Sequence, residues 1–145
     1  PRFLLWFDEQ MTAHPDVAKK LMVEVTEHIV SYNEAALVAL SGLSRKHHFK
    51  VSIERFGVSS VPFSYLQRIH IDVIKVDHSF IRYLEGNQSN QFFLRSAVQI
   101  AHGQSIDVMA VGVESKDEWQ ALNVIGVDGA MGYYLERPKE NKVFS

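Results

Sequence analysis

The chain contains no cysteine. Disulfide scaffolds and thiolate metal sites are therefore excluded, and a reducing compartment is the natural expectation. No apolar run approaches the roughly 20 residues that a membrane helix needs. The N-terminal RFLLWF is followed at once by Asp8 and Glu9, which breaks the pattern of a secretory signal peptide. There is no Gly-rich phosphate loop, no short internal repeat and no low-complexity stretch. The seven histidines show no metal-ligand spacing; His47 and His48 are neighbours and cannot share a helix face. Charge of one sign is scarce too. A net charge of −2 argues against a purely electrostatic nucleic-acid binder, though it leaves local basic patches open. What is present is globular in type. A length of 145 residues fits one domain, and 46% hydrophobic residues supply a sizeable core. The chain opens at Pro1 without a methionine, so the expectation is an excerpt of something longer.

Apolar periodicity gives the order of elements. RFLLWFDEQMTAHP reads as an amphipathic helix with Phe3, Phe7 and Met11 on one stripe and Pro15 closing it. LMVEVTE reads as a strand. SYNEAALVALSGLSRKHH reads as a helix opened by a Ser31/Glu34 capping box, with Ala36, Leu37, Leu40 and Leu43 on the buried face. FKVSIE is a second strand, the loop RFGVSSVP follows, and a short helix around FSYLQRI leads to the strand DVIKV. A helix QFFLRSAVQIAH, a strand DVMAVGV, and a helix KDEWQALNVI come next. The last of these helices opens on a Ser115/Glu118 box and ends at Gly126. GAMGYYL is a fifth strand and ERPKENKVFS a polar tail. The strands alternate with helices, so the fold class is α/β with a parallel sheet, and strands apolar on both faces suit a helix-covered sheet.

In such folds functional groups gather at the carboxyl ends of the strands. Those ends offer Glu24 and Glu27, Glu54 and Arg55, Lys75 and Asp77, Glu114, and finally Tyr133 and Glu136. Several carboxylates and a lysine on one rim suit a hydrolase using hard divalent metals. Solvated rim charges with local salt bridges are the other reading. SRKHHFK is a basic cluster at a helix end, where positive charge suits the dipole; it serves as a solvated cap or as a contact for an acidic partner or RNA. Phe92 and Phe93 are expected in the core.

The strings VEVTE, IERFGVSSVPFSYLQRIHIDVIKVDHSFI, AVGVES and GAMGYYLERP follow one another in the order and spacing of the EAL domain family. That family comprises bacterial cyclic-di-GMP phosphodiesterases built on a TIM-like (β/α) barrel. The resemblance runs from about Leu21 to Pro138. It implies that residues 1–145 supply the later strands, the C-terminal portion, of a barrel that takes on the order of 250 residues when complete. Residue by residue, Glu24 resembles the metal-binding glutamate that opens the family's E-x-T-E motif, and Glu27 the glutamate that anchors the metal- and substrate-site loop. Where the family has two adjacent aspartates this chain has Glu54 and Arg55. The loop Phe-Gly-Thr-Gly is here Phe56, Gly57, Val58, Ser59. The active-site lysine is present as Lys75, followed by Asp77. The general-base glutamate is replaced by Val111, although Glu114 remains, and a glutamine on the last strand is replaced by Met131.

The resemblance therefore implies a degenerate site. A guanidinium is not deprotonated in proteins and cannot ligate a cation. At about 4 Å and an effective dielectric of 20, each unit charge repels another by about 4 kcal/mol. Losing general-base help alone costs roughly 10²–10⁴-fold. The expectation is a pseudoenzyme with no catalytic residue, no bound Mg²⁺, Mn²⁺ or Ca²⁺, and no cofactor. In it Glu24, Glu27, Glu54, Arg55, Lys75, Asp77, Val111, Glu114 and Met131 are vestigial positions. Arg55 is expected to pair with Glu24 or Glu54, and Lys75 with Asp77. The run from Asn90 to Gly132, including EWQ at Glu118–Gln120, resembles the CsrD- and MshH-like subgroup. That resemblance implies a cytoplasmic domain of a membrane-anchored regulator, with no membrane contact from this segment. It also implies a role in regulatory small-RNA turnover by RNase E and docking of the glucose-specific EIIA protein of the phosphotransferase system. Cyclic-di-GMP is not expected as a ligand. A non-hydrolysing cyclic-di-GMP receptor and a weak phosphodiesterase are the alternatives.

Overall fold

The computed structural model of the protein describes residues 2–132, 134 and 142–143. Helix α1 (Arg2–Ala13) and the short α2 (Pro15–Ala18) precede β1 (Met22–Thr26). There follow α3 (Ile29–His47), β2 (Lys50–Phe56), α4 (Tyr65–Arg68), β3 (Val73–Val76), α5 (Gln88–Gly103), β4 (Asp107–Val111), α6 (Lys116–Ile125), β5 (Gly129–Met131) and β6 (Lys142–Val143). The strands lie in sequence order in one sheet. The first five run parallel. This is a partial TIM-like barrel, with each parallel strand returned by a helical connection.

Strand alternation divides the sheet into two faces. Val51, Ile53, Ile74, Val76, Val108, Ala110 and Ala130 point outward and are buried in the main core. They pack under helices whose inner stripes are Leu37 and Leu40 on α3, Leu94, Ala97, Val98 and Ala101 on α5, and Leu122 on α6. The opposite, inner face carries Glu24, Ser52, Glu54, Val73, Lys75, Met109, Val111 and Met131. The apolar stripe of the N-terminal helix is only partly buried. Phe7 and Met11 enter the core, while Phe3 stacks on Phe7 at 5.7 Å and stays exposed.

Two carboxylates pin the starts of strands. Asp72 accepts a hydrogen bond from Val51 N at 2.8 Å and faces His70 at 3.4 Å. Asp128 repeats the arrangement with Val108 N at 2.7 Å and His102 at 2.7 Å. Two glycines admit close backbone approach. At Gly112 (φ 86°) a Cβ would lie 2.6 Å from His78 Cβ, and at Gly132 (φ 153°) it would lie 2.2 Å from the Val113 carbonyl oxygen. Gly126 ends α6 in the left-handed conformation, as its position after an apolar run predicts.

Several expectations need correction. Pro15 does not merely close the first helix; it is the first residue of α2, where its missing N–H costs nothing. The Ser31/Glu34 box does not form. The chain kinks at Asn33 (φ −156°, ψ 59°), Asn33 Oδ1 accepts from Ala36 N at 3.2 Å, and Ser31 Oγ donates to the His28 carbonyl. Glu34 pairs with Arg68 instead. Helix α5 starts three residues before the expected Gln91, capped by Asn87 accepting from Asn90 N at 2.9 Å. Phe93 packs with Phe56, Phe63 and Phe80, but Phe92 is 72% exposed and belongs to no core. The polar tail contributes β6, which pairs antiparallel with β5.

Candidate functional site

Alternation on β1 to β5 brings the inner-face side chains of their carboxyl ends together. A cavity of about 270 Å³ is lined by Glu24, Glu54, Arg55, Lys75, Val76, Asp77, Val111 and Met131. Val111 and Met131 are direct partners across β4 and β5. Glu27 and Glu114, also named from the sequence, stand outside this cavity. Tyr133 and Glu136 lie outside the described residues.

The second strand does most to shape the site. The β2–β3 register slips between Ile53 and Phe56, a bulge that bends the strand and re-aims its side chains. Arg55 sits in it with φ 56°, a conformation a branched, bulky residue adopts only at some cost. Its guanidinium turns toward β3, with Nε 3.7 Å from Asp77 Oδ1. Lys75 forms an ion pair with Glu24, across from the first strand. The pairs are therefore Arg55 with Asp77 and Lys75 with Glu24. The expected pairings of Arg55 with a glutamate and of Lys75 with Asp77 are both corrected, because the bulge turns Arg55 toward Asp77 and Lys75 reaches Glu24 instead.

Asp77 caps the 3₁₀ turn His78–Phe80 by accepting from Ser79 N at 3.0 Å. Burial pushes its carboxyl up, but the Ser79 hydrogen bonds and the His78 and Arg55 charges outweigh burial and hold it below the usual carboxylate range. Glu27 is almost wholly enclosed, 1% exposed. It accepts from Gly57 N at 3.0 Å and from the Tyr65 hydroxyl at 2.7 Å, so it fastens the loop after β2 to the loop after β1. Burial raises its pKa against the opposing pull of the Tyr65, Gly57 and Ser59 hydrogen bonds. The Tyr65 hydroxyl is pushed far up by burial and by the Glu27 charge. Glu114 leaves the cavity for Arg82, at 2.9 Å. Behind it Glu118, 2% exposed, accepts from Glu114 N and Tyr83 N, each at 2.9 Å, while its own N–H donates to Ser115 Oγ at 3.1 Å. The predicted Ser115/Glu118 box thus forms in one direction, and the glutamate reaches one residue further back than the motif requires. Sequence spacing gave no hint of Tyr65 as the partner of Glu27, or of Arg82 as the partner of Glu114.

Two hard divalent ions side by side need several oxygen ligands each. Here Glu24 is held by Lys75, Asp77 faces Arg55, and Val111 and Met131 offer no oxygen. Among the described residues no three His, Asp or Glu side chains converge as a metal-binding group. The residues present do not fit a two-metal centre.

The family model described as EAL domain matches residues 1–138. Among curated proteins the chain is 29% identical over 136 residues to the RNase E specificity factor CsrD of Escherichia coli (strain K12), covering 93% of this chain and 21% of that protein. It is 31% identical over 118 residues to the probable cyclic di-GMP phosphodiesterase PdeG of the same organism, covering 81% of this chain and 23% of that protein. The chain thus spans about a fifth of the length of these relatives. Among solved structures, the FimX EAL domain from Pseudomonas aeruginosa bound to c-di-GMP matches at 25% identity with a TM-score of 0.81, over 98% of this chain and 57% of that one. A manganese and cyclic-di-GMP complex of Klebsiella pneumoniae BlrP1 matches at 27% identity with a TM-score of 0.79, over 92% of this chain and 34% of that one.

Proposed function

The chain belongs to the EAL domain family, and on that footing we propose that it is a catalytically inactive member acting as a protein-interaction module. The observation that carries this reading is the pairing inside the cavity. Lys75 holds Glu24 and Arg55 faces Asp77, so protein cations stand where a two-metal hydrolase needs metal charge. Val111 in place of a carboxylate removes the group that takes a proton from water. In this reading Glu24, Glu27, Glu54, Arg55, Lys75, Asp77, Val111, Glu114 and Met131 support the fold and its rim, not chemistry.

The RNase E specificity factor among the relatives supports a regulatory role, and the role proposed for this chain is in small-RNA turnover. The partner proposed is the unphosphorylated glucose-specific EIIA protein, and the setting a cytoplasmic part of a membrane-anchored protein. Among the described residues no helix is long and apolar enough to cross a membrane, so any anchor would be supplied elsewhere. Titration with EIIA tests the proposal, the expected result being saturable binding. No binding at about 100 μM, equivalent to roughly −5.5 kcal/mol, together with clear cyclic-di-GMP binding, would replace it with a non-hydrolysing receptor. Hydrolysis of cyclic-di-GMP with Mg²⁺ or Mn²⁺ tests the inactivity directly. The expected result is no turnover, and recovery of turnover is expected to need at least Arg55→Asp and Val111→Glu together.

A further inference from the structure

Beside the cavity just described lies a larger cleft, about 640 Å³. It opens between the loop after β1 and the loop after β2 and is lined by Thr26, Glu27, His28, Ser31, Arg55, Val58, Ser59, Ser60 and Val61. Arg55 borders both spaces. Its one ionic contact is through Nε, at 3.7 Å, and 65% of its side chain is exposed. The two terminal nitrogens of the guanidinium thus have no partner among the described residues. They are the forked donors that match a phosphate group.

The rest of the lining has the same character. His28 adds an imidazole, braced by the Tyr32 ring at 4.9 Å and by Ser31 Oγ at 3.3 Å from Nδ1. Thr26, Ser31, Ser59 and Ser60 add hydroxyl groups. Glu27 is the one carboxylate on the cleft wall, and both its oxygens are already engaged, one by Gly57 N and one by the Tyr65 hydroxyl. Val58 and Val61 give the cleft an apolar side. The volume falls within the range of pockets that take small organic ligands, not bare ions alone. The strain at Arg55, a non-glycine residue at φ 56° on a bulge, is of the kind that persists where a side chain must be aimed.

We propose that this cleft binds a phosphate monoester, with Arg55 and His28 contacting the phosphate and Val58 and Val61 the organic part. Phosphate monoesters on nucleosides and on amino-acid side chains share this chemistry. The site is independent of the interaction-module reading, which stands or falls on partner binding and hydrolysis assays.

The test is a titration of the ¹⁵N-labelled full chain, at fixed ionic strength, with inorganic phosphate, O-phosphoserine and a nucleoside 5′-monophosphate in separate arms. The expected result is a saturable shift of the amides of residues 28–31 and 58–61, stronger for one of the two organic ligands than for phosphate alone, which also identifies the source. Arg55→Gln is expected to weaken binding at least about tenfold, the scale of a lost charge-assisted contact. Ser60→Asp, which leaves Arg55 in place and adds negative charge to the lining, is expected to weaken it too. Lys75→Met, which changes only the neighbouring cavity, is expected to leave binding unchanged. Three results would each overturn the proposal: no saturable shift in any arm, equal loss in Lys75→Met and Arg55→Gln, or cyclic-di-GMP binding the same amides more tightly than every monoester.

Discussion

The two faces of the parallel sheet follow different rules. The outer face is uniformly apolar, and Val51, Ile53, Ile74, Val76, Val108, Ala110 and Ala130 lie fully buried beneath the helices. The inner face is mixed. It sets Glu24, Ser52, Glu54 and Lys75 beside Val73, Met109, Val111 and Met131. Both faces belong to the same strands, so a change on one side leaves the other side's packing untouched. The fold is held from outside the barrel, by the packing of that face under the helices.

The strongest way to break this comparison is to truncate each face in turn. Ile74→Ala removes a fully buried outer side chain and is expected to cost about 2–5 kcal/mol in urea unfolding. Met131→Gln, an inner change beside the cavity, is expected to cost far less. Equal losses would mean the inner face carries stability as well. The next contrast concerns carboxylates. Glu118 satisfies two backbone N–H groups from a buried position, so Glu118→Ala is expected to cost about 1–3 kcal/mol. Glu24 is partly exposed, and Lys75→Met, which breaks its ion pair, is expected to shift stability by less than about 1 kcal/mol.

The pH dependence sharpens the contrast within the rim itself. Glu27 has a folded-state pKa above its ordinary value of 4.5. Its contribution is therefore fully present below that value and lost as the pH rises through the raised folded pKa. Asp77 has a folded-state pKa below its ordinary 3.8. Its contribution is present above that value and lost as the pH falls through the lowered one. Unfolding free energies measured from acid to neutral pH are expected to lose the first component in Glu27→Gln and the second in Asp77→Asn. The same missing window in both variants would contradict the assignment.

Much of the fold is legible in the sequence, and the reason is the outer face. Alternating β-branched residues mark β1 and β2, apolar runs mark β3 and β4, apolar stripes mark α5 and α6, and Gly126 stands where a helix end needs positive φ. The Ser31/Glu34 box misled because a motif four residues long competes with the whole surface. Arg68, 34 residues further on, takes the Glu34 carboxylate, and Asn33 takes over the cap. The site was legible as a set of positions, since strand order alone brings Glu24, Glu54, Lys75 and Val111 together. Its pairings were not, because a one-residue bulge decides whether Arg55 faces a glutamate or Asp77, and no local pattern in IERFG announces that bulge.

The two carboxylate pins at the strand starts bear on the order in which the barrel sets during synthesis. The second amide of β2, Val51 N, is satisfied by Asp72, 21 residues later in the chain. That of β4, Val108 N, is satisfied by Asp128, 20 residues later. In each case the earlier strand leaves the ribosome with its second amide unanswered, and the segment leading into the strand after it brings the acceptor. A one-residue slip would carry that acceptor past its donor and turn every side chain to the wrong face. Alignment is thus fixed in pairs, β2 by the arrival of β3 and β4 by the arrival of β5. The backbone bond from Asp107 N to the Asp72 carbonyl, at 3.0 Å, and the β3–β4 ladder that begins beside it join the two pairs. A nascent chain halted between the pairs would hold one aligned half and one half still free to shift.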